Sequence, residues 1–480
     1  MSAGRSDAVA RSDASANDAR RARVERGLIP PTVIAGRAVP QHALEERMRH
    51  HGVPAVSMAL IDGGRVAWSR GYGARTPGDA PATVATRFQA ASLSKGVTAL
   101  VALRLVARGV LPLDADVRPM LRAWRLPEAA HGAAHGPTLR QLLSHTAGVS
   151  VPSFPGYPAG TPLPTLRHVL DGAPPANTPA VRLDTMPGVR WRYSGGGYAI
   201  VQQLIEERTG RPFAEVARDE VLAPLGMDAS AFEQPLLGNA AALAAVGHRD
   251  DGTAVPGGWY TYPELAAAGL WTTGGDLARL VVALQRALRG APDAILPSAL
   301  ARAMVTPLQA NYALGLAVLG AGTDSAYFTH VGVNEGFRAV LVGFVEREQG
   351  AVILTNGAGG VDLAYELLRG VAREYGWSGF RPRTRTLVAA APETLRALAG
   401  RYRLVAGTDT TLVSVHADGD ALAVTLPPRA TPLVFHPTVN ERFFTQDAGV
   451  ELAFVRASDG GVTGLRVLGA GPLPVASRVP

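Results

Sequence analysis

The 480-residue chain contains no cysteine, which excludes disulfides, thiolate metal sites and a thiol nucleophile. It contains one lysine, Lys95, against forty-six arginines (47 Lys+Arg minus that one). No uninterrupted apolar run is long enough to cross a bilayer; stretches such as Val53 to Ile61 reach only strand length. Nor does an apolar segment near the amino terminus form the h-region of a secretory signal, so the expected compartment is the cytoplasm, with no membrane partner. Net charge is +7, but the arginines are scattered mostly singly, without the stripes or aromatic interleaving that track a phosphate backbone. Nucleic acid is therefore not an expected partner.

What is present describes a folded, turn-rich protein: 47% hydrophobic residues, 54 glycines and 36 prolines over a length that suggests roughly two to four domains. Residues 1–27, rich in Ala, Arg, Asp and Ser, are expected to form a disordered basic arm. From Val56 to Tyr72 two strand-like runs flank Asp62-Gly63-Gly64, the composition of a tight hairpin turn. Helical spacing follows Ser92 as far as Gly109, and further helices are predicted over Ala199–Thr209, Phe213–Ala223, Asp276–Leu288 and Val361–Tyr375. Strands are predicted over Phe337–Val345 and Ala351–Thr355. Strands on either side of a helical middle predict an α+β domain over 28–380 whose sheet is built from both chain ends. A Pro-, Arg- and Ala-rich stretch, 381–391, is placed as a linker, and evenly spaced short strands over 392–480 predict a small all-β barrel or sandwich.

The chemistry centres on Ser92-Leu93-Ser94-Lys95. Arginine stays protonated at working pH, whereas a desolvated lysine amine can act as a base, so one lysine kept among arginines points to a task guanidinium cannot perform. At helical spacing of three, Ser92 and Lys95 share a face about 5–6 Å apart at Cβ, within reach for an amine to take a hydroxyl proton. Tyr193-Ser194-Gly195 and His330-Val331-Gly332 follow in order. With Leu142–Gly148 (LLSHTAG), Pro224–Met227 (PLGM), Ala268–Leu277 (AGLWTTGGDL) and Asn334–Phe337 (NEGF), the chain resembles the class C β-lactamase and penicillin-binding-protein-like serine hydrolases over 28–380.

That resemblance implies an antiparallel sheet flanked by helices with an all-helical subdomain. It makes Ser92 the nucleophile, Lys95 its proton partner, Tyr193 a second general base or acid, and His330 the group standing where many relatives have lysine. It also implies an oxyanion hole from the backbone N–H groups of Ser92 and Val333, places Gly195 and Gly332 beside the substrate, and implies no metal or cofactor. Which of Lys95 and Tyr193 takes the serine proton stays open. Gly195 stands where β-lactamases usually have asparagine, and His330 removes a permanent cation, so a small neutral ester or amide is the expected substrate, as in the esterase and D-peptide hydrolase branches. D-amino-acid peptidase, β-lactamase and a non-catalytic binding protein on the same fold are the alternatives. Trp259, Tyr260 and Tyr262 either line the substrate cleft or pack in the core, and His145 is expected to be structural. The carboxyl-terminal strands resemble the lipocalin-like appendage of some relatives. Oligomeric state has no sequence signal.

Overall fold

A computed structural model of the chain describes residues 15–76, 78, 80–127, 135–406, 409–427, 432–469 and 474–479. Its backbone divides into two compact units, Met48–Ala364 and a second made of Met1–Arg47 with Tyr365–Pro480.

The first unit holds a six-stranded sheet of β1 (Ala55–Asp62), β2 (Arg65–Gly73), β3 (Ala317–Leu319), β4 (Tyr327–Asn334), β5 (Phe337–Phe344) and β6 (Gly350–Thr355). Their order is β2-β1-β6-β5-β4-β3, every neighbouring pair antiparallel, so strands from both ends of the unit meet at β1 and β6 as the sequence predicts. The turn between β1 and β2 uses Gly63 and Gly64 at φ 60° and 71°, the left-handed pair that matches strand twist. Central strands β1 and β6 are buried almost throughout and read as continuous apolar runs.

Helices fill the space between the β2 and β3 segments of the chain. α1 (Ser94–Ala107) is buried on nearly every side, which is why its sequence shows almost no polar face. α2 (Gly195–Thr209) and shorter helices pack around it, while α3 (Gly274–Leu288) lies across β1, β2, β5 and β6. No described helix is long and apolar enough to cross a membrane.

The second unit contains a closed barrel of eight strands: β7 (Gly400–Ala406), β8 (Asp409–Asp418), β9 (Ala421–Thr425), β10 (Leu433–Thr438), β11 (Arg442–Phe444), β12 (Glu451–Arg456), β13 (Val462–Leu468) and β14 (Ala476–Val479). Each pairs antiparallel with the next, and β7 closes on β14. A preceding helix, Pro392–Leu398, contributes Leu395 and Leu398 to the barrel core.

Two boundaries differ from expectation. Residues 15–25, inside the expected disordered arm, form a helix, with Arg23 paired to Glu374 at 2.7 and 2.9 Å and Val24 buried; 1–14 lie outside the described residues. Composition alone misses this because the partners lie some 350 residues further along the chain. Within the expected linker, Arg383–Arg385 pairs in parallel with Thr32–Ile34, three residues being too short to show alternation.

Candidate active site

Ser92 stands in a single 3-10 turn, Ala91–Leu93, that runs directly into α1. The preceding residue, Ala91, has φ 50°, a conformation that costs a non-glycine residue about 1 kcal/mol or more and persists only when its surroundings hold it. They do. Ser94 Oγ donates to Ala91 O at 2.6 Å and accepts from the Leu270 N–H at 3.1 Å, while the Ala90 N–H donates to Leu270 O at 2.9 Å. On the other side β4 approaches so closely that a Cβ on Gly332 would lie 2.3 Å from Ala90 O and 3.2 Å from Ala91 Cβ. Gly332 is therefore a contact between strand and turn, and not a surface offered to substrate.

Lys95, 2% exposed, lies one turn along and points back to the serine. Its Nζ lies 3.0 Å from Ser92 Oγ and 2.8 Å from Ala267 O, which fixes the amine against the segment 266–270. The Tyr193 and Tyr198 ring centroids lie 5.1 and 5.6 Å from Nζ, and among the described residues no carboxylate pairs with it. Tyr193 immediately precedes Ser194, the N-cap of α2, whose Oγ accepts from the Gly197 N–H at 3.0 Å.

Two histidines flank this group. His330 Nδ1 lies 2.8 Å from Val331 O and so carries the hydrogen; Nε2 then accepts from the Tyr312 hydroxyl at 2.9 Å. Burial, and then the nearby positive Lys95, hold its pKa down to about 3, so the ring is neutral. His145 is buried with φ 60°; its Nδ1 accepts from the Ser194 N–H at 3.1 Å, and its ring lies 4.3 Å from that of Tyr193. Burial first, then Lys95 and His330, hold it well below the usual histidine range. His145 thus fixes the Tyr193 loop, and Tyr312 fixes His330. Tyr312 had no sequence signal, because it lies in a non-periodic loop 18 residues before its partner.

The cleft beside Ser92 encloses about 440 Å³ and is lined by Ser153, Phe154, Pro155, Tyr193, Tyr262, Val331, Val333, Asn334, Glu335 and Arg338. Val333 is 57% exposed there. Ser92, Lys95, Tyr193 and Val333 are thus brought together, with His330 buried alongside. Gly195 is buried at the start of α2, packed against Phe154. Trp259 and Tyr260, expected beside the substrate, are not on this wall: the Trp259 ring meets Trp271 edge-on at 5.2 Å, and the Tyr260 hydroxyl accepts from Arg249. Of that aromatic trio Tyr262 faces the cleft, its hydroxyl accepting from the Glu335 N–H at 3.0 Å.

Comparison with known proteins bears on the fold and the family. Esterase EstB of Burkholderia gladioli is 32% identical over 200 residues, 40% of this chain and 49% of that protein. Penicillin-binding protein 4 of Amycolatopsis lactamdurans is 31% identical over 185 residues, 38% and 46% respectively. The matches thus span about half the length of these curated relatives. Among solved structures, the octameric penicillin-binding protein homologue from Pyrococcus abyssi has a TM-score of 0.60 at 22% identity, over 90% of this chain and 98% of that one. D-amino acid amidase from Ochrobactrum anthropi has a TM-score of 0.56 at 20% identity, over 68% and 97%. These two likenesses show the fold. The beta-lactamase family model matches residues 41–373, more than two-thirds of the sequence, and the chain belongs to that family of serine hydrolases.

Proposed function

We propose that the protein cleaves an ester or amide through an acyl-enzyme on Ser92. The observation that carries this is the 3.0 Å approach of Lys95 Nζ to Ser92 Oγ in a cleft wide enough for a small molecule. Oγ attacks the substrate carbonyl carbon as its proton passes to Lys95 Nζ, 3.0 Å away. Backbone N–H groups of Ser92 and Val333 are assigned to the oxyanion, which develops only as the carbonyl is attacked. Collapse breaks the bond to the leaving alcohol or amine, which departs with the proton, and Tyr193, on the same wall, is assigned that transfer. Water then adds to the acyl carbonyl as its proton passes to the same Lys95–Tyr193 pair, and collapse of the tetrahedral adduct breaks the acyl–Oγ bond, releases the carboxylic acid and returns that proton to Ser92 Oγ.

His330 has no proton-transfer role in this scheme, since both ring nitrogens are engaged and the ring is neutral. A matched relative named as an esterase supports the ester reading. Intact-mass measurement after a fluorophosphonate or a p-nitrophenyl ester is expected to show one addition, absent in Ser92→Ala. Lys95→Ala is expected to slow turnover by roughly 10²–10⁴. An unmodified parent protein after every activated acyl donor would sink the proposal.

A further inference from the structure

We propose that Phe154 sets the acyl specificity of this site, so that it takes esters whose acyl chain is plain alkyl or aryl and rejects those with an amide next to the scissile carbonyl. The inference rests on the acyl-enzyme reading above and names its substrate class.

The argument starts from three glycines. Gly195, Gly196 and Gly197 open α2, where glycine is a poor helix former, yet none has positive φ, so conformation does not require them. For the first two, space does. A Cβ on Gly196 would lie 2.6 Å from Ser150 O, and one on Gly195 would lie 2.9 and 3.2 Å from Phe154 Cε2 and Cδ2 and 3.3 Å from Pro152 O. The segment 150–157 therefore lies directly on the helix start, and the phenyl ring occupies the volume a side chain at 195 would enter.

Phe154 is held there. Ser194 Oγ donates to Ser150 O at 2.7 Å, and the Gly195 and Gly196 N–H groups donate to Pro152 O and Val151 O at 2.9 and 3.0 Å. Further on, the Tyr262 hydroxyl donates to Pro155 O at 3.3 Å, and Tyr157 exchanges backbone hydrogen bonds with Thr261 at 2.8 and 2.9 Å. The ring is a fixed wall.

Phe154 and Pro155 share the cleft with Ser92, Tyr193, Val331 and Val333. An acyl chain turned to this side meets the carbon of Phe154, 9% exposed, and of Pro155, while Ser153, Asn334, Glu335 and Arg338 supply the polar part of the lining. An amide laid against Phe154 and Pro155 would leave water without gaining a partner from either side chain, whereas an alkyl or aryl group would gain contact.

The test compares two p-nitrophenyl esters of matched shape, isocaproyl and N-acetylglycyl, each rate corrected for hydrolysis without enzyme. The ratio of kcat/KM, isocaproyl over N-acetylglycyl, is expected to fall roughly ten-fold in Phe154→Ala and less in Phe154→Leu. A folding readout stands beside it. Gly195→Ala is expected to lower Tm in the parent and to lower it less in a Phe154→Ala background, because the colliding ring is gone. An active parent whose ratio is unchanged in both Phe154 variants, or additive Tm losses, overturns this proposal alone. A parent inert toward both esters removes the acyl-enzyme reading and this inference with it.

Discussion

Glu264 is fully buried, and among the described residues neither carboxylate oxygen finds a partner in hydrogen-bonding geometry. Burial pushes its pKa up to about 7, its own backbone N–H being too weak a support to cancel that. The folded chain then holds a proton that the unfolded chain, with an ordinary carboxyl, releases near pH 4.5. Stability from this group is full below that pH and is lost as pH rises through about 7. Glu264→Gln keeps the shape and cannot ionise, so its stability relative to the parent is expected to rise by about 2 kcal/mol between pH 5 and pH 8. Urea unfolding at the two values checks it; a difference independent of pH would mean the carboxyl titrates normally. The sequence gives no hint of this residue, since a lone Glu after Pro263 has no motif. Lys95 was legible for the opposite reason: a single lysine among arginines is conspicuous before any fold is known.

At the scale of elements, α2 shows how tertiary contacts override propensity. Local preference starts this helix at Ala199, because three glycines precede it, but it begins at Gly195. Ser194 makes the difference, its Oγ accepting from Gly197 N–H and donating to Ser150 O. Ser194→Ala loses both bonds and is expected to cost about 1–2 kcal/mol. Because the cap is the neighbour of Tyr193, kcat is expected to fall with it while Ser194→Thr retains most of both. Equal stability of Ser194→Ala and parent would show that the backbone bonds of Gly195 and Gly196 suffice alone. α1 was legible because its apolar residues recur at helical spacing up to a glycine stop at Gly109, φ 72°. The Arg383–Arg385 strand was not, because its pairing depends on residues at the far end of the chain.

Across the whole molecule, strand-length apolar runs and turn composition made the α+β sheet and the β-barrel legible, since both are local properties. The buried polar interior of the site was only partly so: the order of Ser92, Lys95, Tyr193 and His330 was visible, but the neutral state of its histidines depends on burial. That state has a consequence for the entire fold. Unfolded histidine titrates near pH 6.5, whereas His330 holds out to about 3 and His145 also stays low. As pH falls below 6.5, the unfolded chain takes protons that the folded chain refuses, so stability declines until the folded groups titrate. Glu264 acts in the opposite sense between pH 7 and 4.5, gaining stability on acidification, and masks part of this loss in the parent. Glu264→Gln removes the mask. Its unfolding free energy is expected to drop by on the order of 2 kcal/mol or more between pH 7 and pH 4.5, the share of His330 alone being of that size. The parent is expected to change less over the same interval. Adding His330→Gln to Glu264→Gln should make the profile shallower, leaving the share of His145, and an acid slope that the His330 substitution leaves untouched would show that this imidazole protonates freely within the folded protein.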